Sequence, residues 1–193
     1  LDYEKVANAV SMINSRVKNR RVFSIFPDQV RANINGIEKV LPGYYACSSL
    51  AGMRASTPAQ AGFTNRQVVG LTGVVGTEHF TRSQLNTMAG GGTWVLMQDF
   101  AGAPVYTRHQ LSTDVSSVET REFSITSNLD KVSKTLRSAV RKFIGTEVIT
   151  EGLLDLLSAT VDSVLRNSKE NGELNDYSIN NIAQSAEDPD VVL

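Results

Sequence analysis

Two runs of apolar residues at helical spacing, separated by a glycine, constrain the last third of this chain more than any other feature. In the first, Leu129, Val132, Leu136, Val140 and Phe143 fall three or four residues apart, which places them on one face of a 3.6-residue helix. This predicts a helix over 128–144, with Asn128 as N-cap and Gly145 as the stop. Its other faces carry Lys131, Lys134, Arg137, Arg141 and Lys142. The second run predicts a more apolar helix over 147–166, built on Leu153, Leu154, Leu156, Leu157, Val161, Val164 and Leu165.

These helices straddle a separation of charge. Residues 1–142 carry a net charge of +7 and residues 143–193 a net charge of −8, so the overall −1 conceals a basic body and an acidic end. Two outcomes are open: unlike patches of neighbouring copies meet head to tail, or folding intermixes the charges and no patch survives. A near-neutral chain is a poor nucleic-acid binder. The basic helix is either a solvated face or a binding face, and no nucleic-acid motif accompanies it.

Upstream, Val6, Val10, Ile13 and Val17 predict an amphipathic helix over 2–18 that begins without a cap. Val22 to Phe26 reads as a short buried strand ended by Pro27. Asn35-Gly36 is a turn signal between two short apolar runs and predicts a hairpin over 30–41. A helix over Tyr44–Ala55 follows, then a polar loop to Arg66, a glycine-interrupted apolar stretch over 68–75 and a helix over 78–88 ended by Gly90-Gly91-Gly92. Strand patterns occupy Trp94–Met97, Val105–Leu111 and Glu122–Thr126, and a half-buried strand is expected over Tyr177–Ile182. Val191-Val192-Leu193 reads as the opening of a further strand, and both ends read as cut. The start lacks a basic region followed by an apolar run, so no signal peptide is expected. No stretch of about 18 apolar residues occurs, so no transmembrane helix or stable membrane insertion is expected. Cys47, the single cysteine, is expected as core filler in its helix.

Catalytic patterns are weak. Gly70 to Gly76 lacks both the dinucleotide-loop spacing and the Gly-Lys-Ser/Thr ending of a phosphate loop. Ser15-Arg16-Val17-Lys18 matches a Ser-x-x-Lys pattern without its companion motifs. His79 and His109 lack the neighbouring His or Cys that a metal site requires. A spatial triad of His109 with Ser112 or Ser116 and Asp99 or Asp114 stays open, although no Gly-x-Ser-x-Gly elbow is present. No enzyme activity and no cofactor are expected, and a degenerate α/β hydrolase-like domain is the alternative.

Several runs, in order along the chain, carry a resemblance: Leu41-Pro42-Gly43-Tyr44, Ala51-Gly52-Met53-Arg54-Ala55, Phe63-Thr64-Asn65-Arg66, Phe80 to Asn86, and Ala89 to Leu96. Val105 to His109, Leu111 to Asp114, Arg121 to Ile125, Phe143-Ile144-Gly145 and Asp188 to Leu193 continue it. Together they resemble the contractile-tail sheath proteins of bacteriophages. The resemblance implies an α/β part followed by an α+β part. Residues 1–76 would be the end of a central subtilisin-like α/β domain without its catalytic triad. Residues 78–193 would be the sheath C-terminal domain, with strands, two helices and a truncated final strand.

The implied function is that of a structural subunit that polymerises into a six-fold helical sheath around a tail tube and contracts to drive the tube through the host envelope. Its partners would be copies of itself, the tube protein, the baseplate and the tail terminator, with no nucleic acid. Its place would be the virion tail, after assembly in the host cytoplasm. A sheath of a bacteriocin or other contractile injection system is the further alternative. In the family, arms at both termini add strands to the sheets of adjacent subunits. The candidate assembly contacts are therefore Lys131, Lys134, Arg137, Arg141 and Lys142 on the basic helix, and Val191, Val192 and Leu193 in the final strand.

Overall fold

The computed structural model of the chain describes residues 2–188 and 190–192. It is a mixed α/β structure that divides into two units, one up to Ser127 and one from Asn128.

The first unit opens with α1, Tyr3–Val17. The helix is capped after all: the Asp2 carboxylate accepts a hydrogen bond from the Lys5 backbone N–H at 3.2 Å. Its buried face also differs from the predicted one. Ala7 and Asn14 are buried, whereas Ile13 and Val17 are exposed. The contact runs through small residues, because α1 lies against the end of α3 (Arg82–Gly90) and the following Gly91. A Cβ on Gly91 would stand 2.4 Å from the Ser11 Cα. The face that permits this backbone approach wins over the one with the larger apolar side chains. Asn14 then donates to the Thr93 hydroxyl at 2.7 Å, satisfying both buried polar groups.

Two three-stranded sheets follow. In the first, β1 (Ser24–Phe26) pairs in parallel with β5 (Thr93–Met97), and β5 pairs antiparallel with β6 (Tyr106–Thr107). The strand expected over 105–111 is therefore ordered as a ladder only at its second and third residues. In the second sheet, β2 (Gln29–Ile34) lies between β3 (Ile37–Pro42) and β4 (Gly73–Val75), all antiparallel. The hairpin turns where predicted: Asn35 and Gly36 both have positive φ, 54° and 83°, as a two-residue hairpin of matching twist requires. α2 covers Tyr44–Ala55 as expected. Cys47 is exposed on it, not core filler, because Ala46 and Leu50 form the buried face and Cys47 is one residue out of phase.

The core gathers Val30, Ala46, Leu50, Phe63, Val68, Trp94, Leu96 and Val105. Within it the rings of Phe23, Phe63, Trp94 and Phe123 interlock, with centroid separations from 4.6 Å (Phe23–Phe123) to 6.1 Å (Phe23–Trp94). The Arg54 guanidinium lies 5.6 Å from the ring centres of both Phe63 and Phe123 and donates to the Thr57 carbonyl at 2.8 Å. Its burial, and secondarily the charge of Arg66, pull its pKa below the ordinary arginine value.

Glu122–Thr126 is not a strand. After the short α4 (Val118–Arg121) the chain is helical from Phe123, and α5 runs Phe123–Val140. A strand would aim Phe123 and Ile125 to the same face; the helix separates them, leaving Phe123 in the ring cluster and Ile125 exposed. Asn128 is thus an interior helical residue and no N-cap. A 3₁₀ turn over Arg141–Phe143 and Gly145, at φ 72°, end the segment. α6 covers Glu151–Glu170, displaced toward the C-terminus because Thr150 supplies the cap, its hydroxyl accepting from the Leu153 N–H at 3.3 Å. No ladder forms over Tyr177–Ile182.

Gly91→Ala is expected to lower the stability of the first unit by about 1–3 kcal/mol, the usual cost of overpacking, because the new methyl meets backbone atoms of α1. Urea unfolding of the variant against the parent measures it; an unchanged midpoint would mean the α1–α3 contact is looser than described.

Candidate assembly surfaces

The second unit is poor in core. Among its described residues only two apolar side chains, Val132 and Leu153, are buried. Leu129, Leu156 and Val191 are exposed, and Ile144 and Val148 are 74% and 79% exposed. An apolar groove lined by Val140, Phe143, Val148, Leu153, Leu157 and Val192 opens between the end of α5 and the start of α6. Exposed apolar side chains concentrated in one small unit are a signature of a surface that packs against something else.

Polar contacts hold the unit together. Glu173, just past α6, is fixed to α5 twice: its carbonyl accepts from the Asn128 amide at 2.5 Å, and its carboxylate pairs with the Lys131 ammonium. That pairing holds the Glu173 carboxyl below the usual glutamate range. Further along, the Tyr177 hydroxyl donates to Asp162 at 2.8 Å, and Arg166 donates to the same carboxylate at 2.5 Å. The chain after α6 is thus folded back along the helix by side chains, which is why no strand ladder is needed there.

The five predicted basic residues separate in the structure. Lys131 is engaged with Glu173. Lys142 lies over the Phe143 ring, 4.9 Å from its centre. Lys134, Arg137 and Arg141 are exposed and make no ion pair among the described residues, so they form the free cationic arc of α5. Near the C-terminus, Val192 forms an antiparallel bridge with Gln184, and the Ser185 N–H donates to the Val191 carbonyl at 2.7 Å. Val191 is exposed, and Leu193 lies outside the described residues. Sequence reasoning missed one surface: β3 is an edge of its sheet and exposes Ile37 and Val40. The hairpin pattern was visible, but its solvation on both faces was not.

The triad does not assemble. His109 Nε2 pairs with Glu122 at 2.8 Å. Ser112 is fully buried and donates to the Thr120 carbonyl at 2.9 Å, while Ser116 donates to Asp114 at 2.6 Å and Asp99 accepts from the Tyr106 hydroxyl at 2.8 Å. Among the described residues no group of three or more His, Cys, Asp or Glu side chains is placed to hold a metal, and no helix is long and apolar enough to cross a membrane.

Glu173 gives a pH prediction. A carboxyl depressed in the folded state adds stability above its unfolded pKa, and that stability is lost as pH falls through the folded value. Glu173→Gln should therefore lower the melting temperature at pH 7, with the difference from the parent closing as pH falls into and below the glutamate range. Calorimetry across pH 3–7 checks this; a difference independent of pH would remove the ion pair as its cause.

No family model and no curated protein sequence matches the chain. Solved structures do. The sheath tail protein of Desulfitobacterium hafniense superposes with a TM-score of 0.66 at 14% identity, over 81% of this chain and 36% of that one. The sheath tail protein of Listeria innocua gives 0.65 at 16% identity, over 77% of this chain and 36% of that one. The helical sheath of the anti-feeding prophage, solved in its contracted state, gives 0.64 at 13% identity, over 79% of this chain and 41% of that one. The chain thus has the fold of tail sheath proteins over most of its length, and spans little more than a third of the first two of them.

Proposed function

We propose that this chain is part of a structural subunit of a contractile sheath, which polymerises around a tube and shortens to drive it through a host envelope. The observation that carries the proposal is the shared fold over 77–81% of the chain with sheath tail proteins, in company with a sheath solved in the contracted state. The thin core of the second unit and its exposed apolar groove support it, since such surfaces suit a part completed by its neighbours. So does the engagement of His109, Ser112 and Ser116 with partners that build no nucleophile. Under this proposal the chain is structural and not catalytic. Residues 1–76 end a subtilisin-like domain, and residues 78–193 form the sheath C-terminal domain. Its partners are other copies, a tube protein, a baseplate and a terminator, on a phage tail or a related injection system.

The free arc of Lys134, Arg137 and Arg141 meets an acidic surface, on the tube or on a neighbour, with Val191 and Val192 at the inter-subunit joint. Lys134→Glu with Arg137→Glu, placed in the intact protein, is expected to abolish the striated hollow cylinders that negative-stain electron microscopy should reveal for the parent. Normal cylinders from the variant would remove the arc from the assembly, and no cylinders from the parent would overturn the sheath proposal itself.

A further inference from the structure

The first unit holds a groove of about 900 Å³ that none of the surfaces above uses. It opens where β2 and β4 approach the end of β5 and the start of β6. Three guanidinium groups reach it from three places: Arg31 on β2, Arg82 at the first position of α3, and Arg108 just after β6. Gly73, opposite Arg31 in the ladder, makes room for that side chain; a Cβ there would come within 3.3 Å of the Arg31 Cδ.

Donors and acceptors in the groove do not balance. Three carboxylates also line it, and each has a neighbour. Glu38 accepts from the Thr72 hydroxyl at 2.8 Å, Asp99 accepts from the Tyr106 hydroxyl at 2.8 Å, and Glu78 lies 3.9 Å from His79 Nε2. Among the described residues Arg31 and Arg82 make no ion pair or side-chain hydrogen bond. Arg108 donates through Nη2 to Asn86, but its Nη1 is buried with no partner. Thr77, only 7% exposed, also lines the groove, and its hydroxyl is buried without a hydrogen bond. A buried hydroxyl and a buried guanidinium nitrogen left unpaired cost stability unless something completes them. Donors in excess, two or more of them guanidinium, call for oxygen anions. The walls between them are apolar, with Phe80, Leu85 and Met97, and the exposed ring of Phe100 stands at the rim. Carboxylates carried on a peptide with small aliphatic side chains match that lining better than a bare inorganic anion does.

Such a peptide is present in the chain. Residues 182–192 contain no basic residue; Glu187, Asp188 and Asp190 are exposed and make no ion pair among the described residues, and Val191 is exposed beside them. We infer that the groove receives the acidic Glu187–Asp190 segment of a second copy, its carboxylates bound by Arg82 and Arg108 and its aliphatic side chains laid on the apolar wall. This deepens the polymerisation proposed above and rests on it: the charge separation along the chain becomes a head-to-tail contact with named ends.

Sedimentation velocity at low ionic strength tests it on the chain itself. The parent should associate as concentration rises and dissociate in about 0.5 M salt, where screening is short-ranged. Arg82→Glu should weaken association about tenfold or more, and so should Asp188→Arg with Asp190→Arg, with circular dichroism verifying that each variant is folded. Mixed together, the two complementary variants should associate with each other again. Variants that fail to recover on mixing, or a parent that stays monomeric, overturn the inference. So does saturable binding of inorganic phosphate, measured by calorimetry, in a parent that does not self-associate; that would make the groove a small-anion site. Because the sheath proposal is read from cylinders of the intact protein, normal cylinders with a monomeric chain would remove the groove contact alone.

Discussion

The first unit depends on one interaction: four aromatic rings closed over by a guanidinium. Phe23, Phe63, Trp94 and Phe123 come from four distant parts of the chain and meet within 6.1 Å, and Arg54 covers two of them while its remaining N–H groups hold the carbonyls of the following loop. A cation in that position needs both halves of the arrangement, since neither ring faces nor carbonyls alone replace the water it gives up. The same contact sets the start of α5. Phe123 must enter the ring cluster, so the helix begins there, five residues before the position that its apolar spacing suggests.

The second unit follows the opposite logic. Its helices have the apolar residues of a core but bury very few of them, and it is fastened by polar stitches: Asn128 and Lys131 to Glu173, Tyr177 and Arg166 to Asp162. Side-chain stitches fix a chain path without covering apolar area. Ile144, Val148 and Leu156 are left available, and a unit of this kind gains stability from whatever binds it. For a subunit of a polymer that is an economical division: one unit folds on its own core and the other is completed by contact.

Helical periodicity located all of the long helices, and Asn35-Gly36 located the hairpin, because those signals are local and depend on few residues. The errors share a cause. Glu122–Thr126 alternates like a strand, but two turns of the same residues also satisfy a helix, and only the ring cluster decides between them. Val6, Val10, Ile13 and Val17 mark an amphipathic face, yet the close approach of Gly91 to Ser11 selects the neighbouring face for burial. Of the five basic residues proposed as contacts, Lys131 was already spent on Glu173, a partner 42 positions away that no spacing rule connects to it.

The sequence by itself determined the order of the elements, the turn at residues 35–36 and the opposite charges of body and end, since propensity, turn chemistry and charge are carried by each residue wherever it lies. The tertiary structure alone decided which faces are buried and which cations are free, and it alone brought Arg31, Thr77, Arg82 and Arg108 around one groove. Those properties are relations between residues far apart in the chain. They come into being only when packing brings backbone against backbone and leaves some donors without acceptors.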